Sequence, residues 1–235
     1  MHRAYNKHGF FSFSERGTRE LRCVQHGESE ITTLCRVLDV SKKEIQTRNG
    51  NKKIILRGII ADDTAKLPFV SWEEREELGK DNVVLIENGY ARRWKGLPTL
   101  YTGKNTRVRV IEEDIGYPAY TELIKPRKRA IGDIVSCGGA FDIIVEGDIV
   151  AISEGADTRV LVVERVLVVD DGTGAVFLEL RKGEIEGLIS FGLPVRARGN
   201  VVSSEKGYVL MADEVTTRDE KFILNEMKNF LCRYT

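Results

Sequence analysis

The stretch Ile54-Ile55-Leu56-Arg57-Gly58-Ile59-Ile60-Ala61, closed by Asp62-Asp63-Thr64 and followed by Leu67-Pro68-Phe69-Val70-Ser71-Trp72, decides the fold. Its first run is apolar and rich in β-branched residues, which pack well on a pleated surface. The two aspartates and the threonine punctuate it, because Asp side chains bond their own backbone in tight turns. That chemistry reads Asp62-Asp63 as a corner and not as a metal or catalytic site. The second run alternates, with Leu67, Phe69 and Ser71 on one face and Pro68, Val70 and Trp72 on the other. If Leu67 and Phe69 point inward, Trp72 lies outside. Gly58 weakens its strand locally but permits the sharp coil that a small barrel needs.

Working outward, Ile31 to Val40 is a strand upstream, and Glu73 to Gly79 carries helix formers downstream. Val83 to Trp94 is a further strand that turns at Lys95-Gly96 into Leu97 to Ile111. Five short strands with one helix between the third and fourth is the order of an OB-fold, a Greek-key barrel that binds oligonucleotides. The pattern then repeats. Phe141 to Ser153, Arg159 to Val169, Ala175 to Leu180, Leu193 to Val202 and Tyr208 to Val215 read as strands, with a helical insert at Gly183 to Leu188. Asp62-Asp63-Thr64 and Asp170-Asp171-Gly172-Thr173 mark the same strand 2–3 corner, a repeat of about a hundred residues.

The chain therefore reads as all-β, two tandem five-stranded OB-fold barrels, each with a short helix between strands 3 and 4. Residues 1–29 form an N-terminal extension, 30–114 the first barrel and main nucleic-acid-binding domain, and 134–216 the second barrel. Between them, 115–133 contains Lys125-Pro126-Arg127-Lys128-Arg129, and proline with consecutive like charges suits a basic linker. Residues 217–235 read as a C-terminal helix. Thr217 with Glu220 makes a capping box, and Phe222, Ile223, Met227, Phe230 and Leu231 approximate an apolar stripe.

Composition narrows the class. With 42% hydrophobic residues the chain can bury a core, and 31% charged residues favour solubility. No apolar run reaches the roughly 18 residues of a membrane span, and no apolar segment at the N-terminus resembles a secretion signal. The four cysteines form no C-x-x-C pair, which suits reduced thiols in the cytoplasm. Cys23, His26 and Cys35 supply three zinc ligands where a closed structural site wants four, so no metal or cofactor is expected. No nucleophile–base pair, phosphate loop or metal constellation points to an enzyme.

Formal net charge is zero, which excludes a uniformly basic coat. The distribution is less even. From Asn88 to Ile111 there are six cations, among them Arg92, Arg93 and Lys95, and no acid. Tyr90, Arg92 and Trp94 share one parity, and Tyr101 adds a ring on the next strand. Rings hold bases by stacking while Arg and Lys track phosphates, and stacking needs splayed bases, so single strands are favoured. Trp72 is a further stacking candidate, and the polar hairpin tip from Ser41 to Lys53 brings Lys42, Lys43, Arg48, Lys52 and Lys53 to the rim against one acid, Glu44. In the second barrel Phe177, Arg181, Arg196, Arg198, Lys206 and Tyr208 remain near the equivalent face, with Arg181 where Trp72 falls in the first. That barrel is less well equipped.

Asp62-Asp63-Thr64, the strand ending in Trp72, Ile86-Glu87-Asn88-Gly89-Tyr90, Trp94-Lys95-Gly96 and Leu100-Tyr101-Thr102-Gly103 resemble archaeal replication protein A. Val145-Glu146-Gly147 and Val168 to Val176 resemble a later OB domain of that family, so the resemblance spans roughly Glu30 to Val215. It implies a cytoplasmic, non-catalytic protein that protects single-stranded DNA during replication, recombination and repair. Partners would be other replication protein A-like subunits, met through the C-terminal helix, and replication and repair proteins. It implies stacking by Trp72, Tyr90 and Trp94. The zinc ribbon of many relatives has no counterpart, because Ser153 to Thr158 contains no cysteine. The alternatives are an RNA-binding OB protein, which the same rings would serve, and a scaffold subunit.

Overall fold

The computed structural model describes residues 17–47, 49–112, 116–156, 163–180 and 190–217. It divides into two compact units, Met1–Lys125 and Pro126–Thr235. Both are mostly strand. Among the described residues no helix is long and apolar enough to cross a membrane.

In the first unit, β1 (Ile31–Gln46) pairs antiparallel with β2 (Lys52–Ala61), and β2 with β3 (Lys66–Ser71). β4 (Val83–Trp94) and β5 (Leu97–Thr102) form a hairpin. β5 lies parallel to β3 and β4 antiparallel to β1, which closes a five-stranded barrel. The predicted alternation sets its interior. Leu67 and Phe69 are buried with Leu56, Ile60, Val84, Ile86 and Leu100. The bulge between Val37 and Asp39 bends β1 and raises its twist where it meets Gly58. A Cβ built on Gly58 would stand 1.9 Å from the Asp39 carbonyl oxygen, so only glycine admits this close approach.

Several boundaries differ from the sequence reading. The run Leu97 to Ile111 is broken after Thr102, and β6 (Arg107–Val110) pairs with β4 instead of continuing β5. Its cause is local. The Thr106 amide donates to the Gly103 carbonyl and the Thr106 hydroxyl accepts from the Gly103 amide, a turn closed by its own side chain. The tip read as a loop over 41–53 is instead a two-stranded arm, with β1 and β2 paired out to Gln46 and Lys52. Between β3 and β4 stands a single 3-10 turn, Glu76–Leu78, with Leu78 buried in the core.

The stretch 115–133, read as a linker, is packed along its described part. Tyr117 donates its hydroxyl to the Leu34 and Ala61 carbonyls, and α1 (Tyr120–Leu123) buries Leu123 against Leu38 and Ala61. β7 (Arg127–Lys128) pairs parallel with β8 (Ala140–Ala156), and α2 (Ile131–Ser136) buries Ile131 and Ile134. Proline and charge masked the signal. The apolar pair at i and i+3 outweighs them once a barrel offers it a floor to fill.

The second unit repeats the closure. β8 pairs with β9 (Val163–Asp170), β9 with β10 (Ala175–Leu180), and β10 in parallel with β12 (Gly207–Thr217). β11 (Pro194–Ser204) joins β12 back to β8. The inserted helix over 183–188, and the C-terminal helix apart from Thr217, lie outside the described residues; Thr217 ends β12.

The repeated corner has a shared job. Asp62 accepts the amides of Thr64 and Ala65 and the Thr64 hydroxyl on one oxygen, and the Leu21 amide on the other. The Arg22 amide donates to the Thr64 hydroxyl. In the second unit Asp171 takes the Thr173 amide and hydroxyl and the Ile131 amide, while Gly132 donates to Thr173. Each corner thus captures a short leading helical turn, Leu21–Cys23 or Ile131–Ser136, whose apolar residues plug the barrel. Residues 17–29 accordingly belong to the first unit, with Leu21 and Val24 in its core. Burial raises the Asp62 pKa despite four hydrogen bonds. Burial also acts upward on Asp171, but hydrogen bonds from Thr173 and Ile131 outweigh it and the net shift is downward.

Candidate nucleic-acid interface

Strand register lays a row across the outer face of the first barrel: Arg57 on β2, Val70 on β3, Tyr101 on β5 and Tyr90 on β4 stand opposite one another in turn. Residues directly opposite on paired strands share a face. Tyr90 and Tyr101 stack with centroids 5.4 Å apart and planes 18° apart. Trp72, just past β3, stacks on Tyr101 at 6.3 Å, and its indole N–H donates to the Tyr90 hydroxyl at 2.8 Å. Three rings therefore form one near-parallel platform, its geometry pinned by that hydrogen bond. Burial, then the nearby Tyr90 hydroxyl, raises the Tyr101 pKa, while Arg57 acts the other way.

Cations surround the rings. The Arg92 guanidinium lies over Tyr90 at 5.5 Å, and Trp94 has Arg57 at 5.2 Å and Lys95 at 4.8 Å from its ring centroid. Trp72 is 37% and Trp94 38% exposed, so neither is sealed in the core. The acids that follow Trp72 are engaged elsewhere, Glu73 with Arg75 and Glu74 with Lys42.

Of the residues singled out from sequence, Trp72, Tyr90, Arg92, Trp94, Lys95 and Tyr101 come together here. Arg93 falls by parity on the side of buried Ala91, and its amide donates to His26 Nδ1. Lys42 and Lys52 sit on the other face of the arm. They stand opposite Leu56 and Gln46, on the side continuous with the barrel interior, and pair with Glu74 and Glu44. Arg48 and Arg181 lie outside the described residues. Cys35 is fully buried, and burial followed by the Asp62 charge pushes its thiol up. Among the described residues no three His, Cys, Asp or Glu side chains gather as metal ligands.

Sequence reasoning missed Arg57, and it took Lys43 and Lys53 only together with Lys42 and Lys52 as cations of one tip. Register puts Ser41 opposite Arg57, Lys43 opposite Ile55 and Ile45 opposite Lys53, so all three cations share the ring face. The available signal was parity along Lys53, Ile55 and Arg57, hidden because the run looked apolar throughout.

Among the described residues the second barrel does not repeat the platform. Eight residues past Asp62 stands Val70, and eight past Asp171 stands Glu179. Glu179 pairs with Met211 and Met211 with Asn200, a row without a ring. Phe177, half-buried, sits two residues earlier between Val168 and Val209. Arg198 bonds Asp142 at 2.9 Å, while Arg196 and Lys128 both approach Glu146. Tyr208 is packed against the core, and Lys206 is exposed at the β11–β12 turn.

Closed barrel and ring platform together define an OB-type barrel with an aromatic, cationic outer face. The chain is similar to an archaeal single-stranded DNA-binding protein. It is 30% identical over 95 residues to the single-stranded DNA binding protein Ssb of Saccharolobus solfataricus, covering 40% of this chain and 63% of that protein. That is less than two thirds of the relative's length. Among solved structures, the OB domain of a Thermoplasma acidophilum protein is 24% identical, covering 42% of this chain and 90% of that one, with a TM-score of 0.39. A replication protein A heterotrimer bound to single-stranded DNA is 12% identical, covering 92% and 55%, with a TM-score of 0.38. No family model matches the chain.

Proposed function

We propose that this chain binds and protects single-stranded DNA with little sequence preference, as two OB-fold barrels in tandem. The observation that carries the reading is the platform of Trp72, Tyr101 and Tyr90 flanked by the Trp94 ring and by Arg57, Arg92 and Lys95, three cations with no carboxylate partner among the described residues. Similarity to a protein named for single-stranded DNA binding supports it. Stacking is worth about 1–3 kcal/mol per base and is indifferent to base identity, since every base has a π-face. Trp72 and Trp94 stack on bases; Arg92, Lys95, Lys43 and Lys53 hold phosphates. The ion-paired second barrel adds less. The same reading assigns replication, recombination and repair in the cytoplasm, alongside other replication protein A-like subunits met through 217–235 and replication and repair proteins. It assigns no catalysis.

Tryptophan fluorescence titrated with a single-stranded oligomer and then with its duplex tests the class. Quenching by the single strand and little response to the duplex is the expected result; an equal response to both, or none, overturns the reading. Salt separates the two faces of the arm. Binding should weaken with a slope near −0.7 per phosphate neutralised. Replacing Lys43 and Lys53 together by alanine should flatten that slope by about 1.4, two contacts at 0.7 each. Replacing Lys42 and Lys52 should change it little. The opposite ranking would move the phosphate track to the other face.

A further inference from the structure

We infer that Arg57 reads a base edge and gives the first barrel a bias toward guanine-bearing single strands, an inference that rests on the single-strand reading above. Arg57 occupies an unusual place for a cation. It stands in the ring row itself, opposite Val70 and in line with Tyr101 and Tyr90, whereas Arg92, Lys95, Lys43 and Lys53 are exposed at the margins. The Trp94 ring holds its guanidinium at 5.2 Å. It has no carboxylate partner among the described residues, and its Nε is buried without a hydrogen-bond partner. The ring contact thus pre-positions a planar fork that no carboxylate among the described residues engages.

A base stacked on Tyr90 or Tyr101 lies parallel to those rings, so its edge is presented sideways along the row, at the level of Arg57. The sugar-phosphate backbone runs along the margin, where the exposed cations stand. Two parallel N–H donors match the O6 and N7 acceptors of guanine. Adenine offers N7 beside a donor and thymine no two adjacent acceptors, so between guanine and thymine the fork selects guanine. Counted from the shared corner, the corresponding sequence position of the second barrel is Val166.

The test uses the full chain and labelled oligomers of about 15 nucleotides, matched to the reach of one OB-fold. One is all thymine, a second carries isolated guanines among thymines so that no quadruplex forms, and a third carries 7-deazaguanine at the same positions. Fluorescence anisotropy reads the ratio of affinities. The native chain should prefer the guanine oligomer over the thymine one by about fivefold or more. That ratio should fall to near one with 7-deazaguanine, and near one again in Arg57→Lys, which keeps the charge but loses the planar fork. Tight binding of all three oligomers with a ratio near one in the native chain overturns the assignment. So does a guanine preference that survives both changes, or an Arg57→Lys loss that falls equally on every oligomer. The 7-deaza comparison needs no variant, so it holds even where Arg57→Lys does not fold. Binding of none of the oligomers would instead sink the single-strand reading itself.

Discussion

Replacing Trp72 and Trp94 together by alanine is expected to weaken binding to a thymine oligomer by about 2–6 kcal/mol, two bases at 1–3 each. At the middle of that range the dissociation constant rises several hundredfold. The two indoles fail differently. Loss of Trp72 removes a stacking surface and also releases the Tyr90 hydroxyl, so Tyr90 and Tyr101 lose the neighbour that orients them. Loss of Trp94 leaves Arg57 and Lys95 without the ring that holds both. Trp72→Phe should keep most of the stacking and lose only the orienting hydrogen bond, falling between native and alanine. Because both indoles are more than a third exposed, the thermal midpoint should move little. A double variant that binds as tightly as the parent would remove both rings from the interface.

Gly58→Ala carries the largest expected effect on stability. The added methyl would meet the Asp39 carbonyl oxygen at 1.9 Å and Phe69 Cε1 at 2.7 Å. The first is backbone inside a paired strand and cannot swing away, so β1 must shift at its bulge or part from β2. Overpacking of this kind typically costs 1–3 kcal/mol and occasionally more; with backbone as the obstacle, about 3 kcal/mol or above is expected. Gly103→Ala is the control, since its nearest neighbour is Tyr90 Cε1 at 3.8 Å. In urea, the first variant should show a markedly lower midpoint and the second a midpoint close to the parent's. Equal midpoints would mean that the coil at Gly58 is not what lets the barrel close.

Barrel closure was legible because two periods agreed: alternation in Leu67 to Trp72 set one face, and the aspartate corners set the turns. The β4 side of the ring face was legible for the same reason, since parity alone groups Tyr90, Arg92 and Trp94. What parity cannot give is register. Whether Lys42 or Lys43 faces the rings depends on which residue of β2 lies opposite, and that is fixed by the bulge at Leu38, which no local pattern announces. Arg57 was hidden by its apolar neighbours, and its worth becomes visible only when Tyr101 and Trp94 are brought beside it. The run Lys125 to Arg129 misled in the opposite sense. Its charges read as solvated, yet Arg129 donates its amide to Ile144 and Ile131 seals the second barrel two residues later.

The aspartate corners bear on how this chain can be divided. Each holds the turn that arrives just before its own barrel, and that turn closes the barrel's open end. A fragment beginning at residue 30 would lack Leu21 and Val24 and leave the Asp62 carboxylate facing a vacated apolar socket. Cutting after residue 133 would strip the second barrel of Ile131 and of the amide that Asp171 grips. Division between Lys125 and Pro126 spares both stoppers, so each half would leave with its own cork in place.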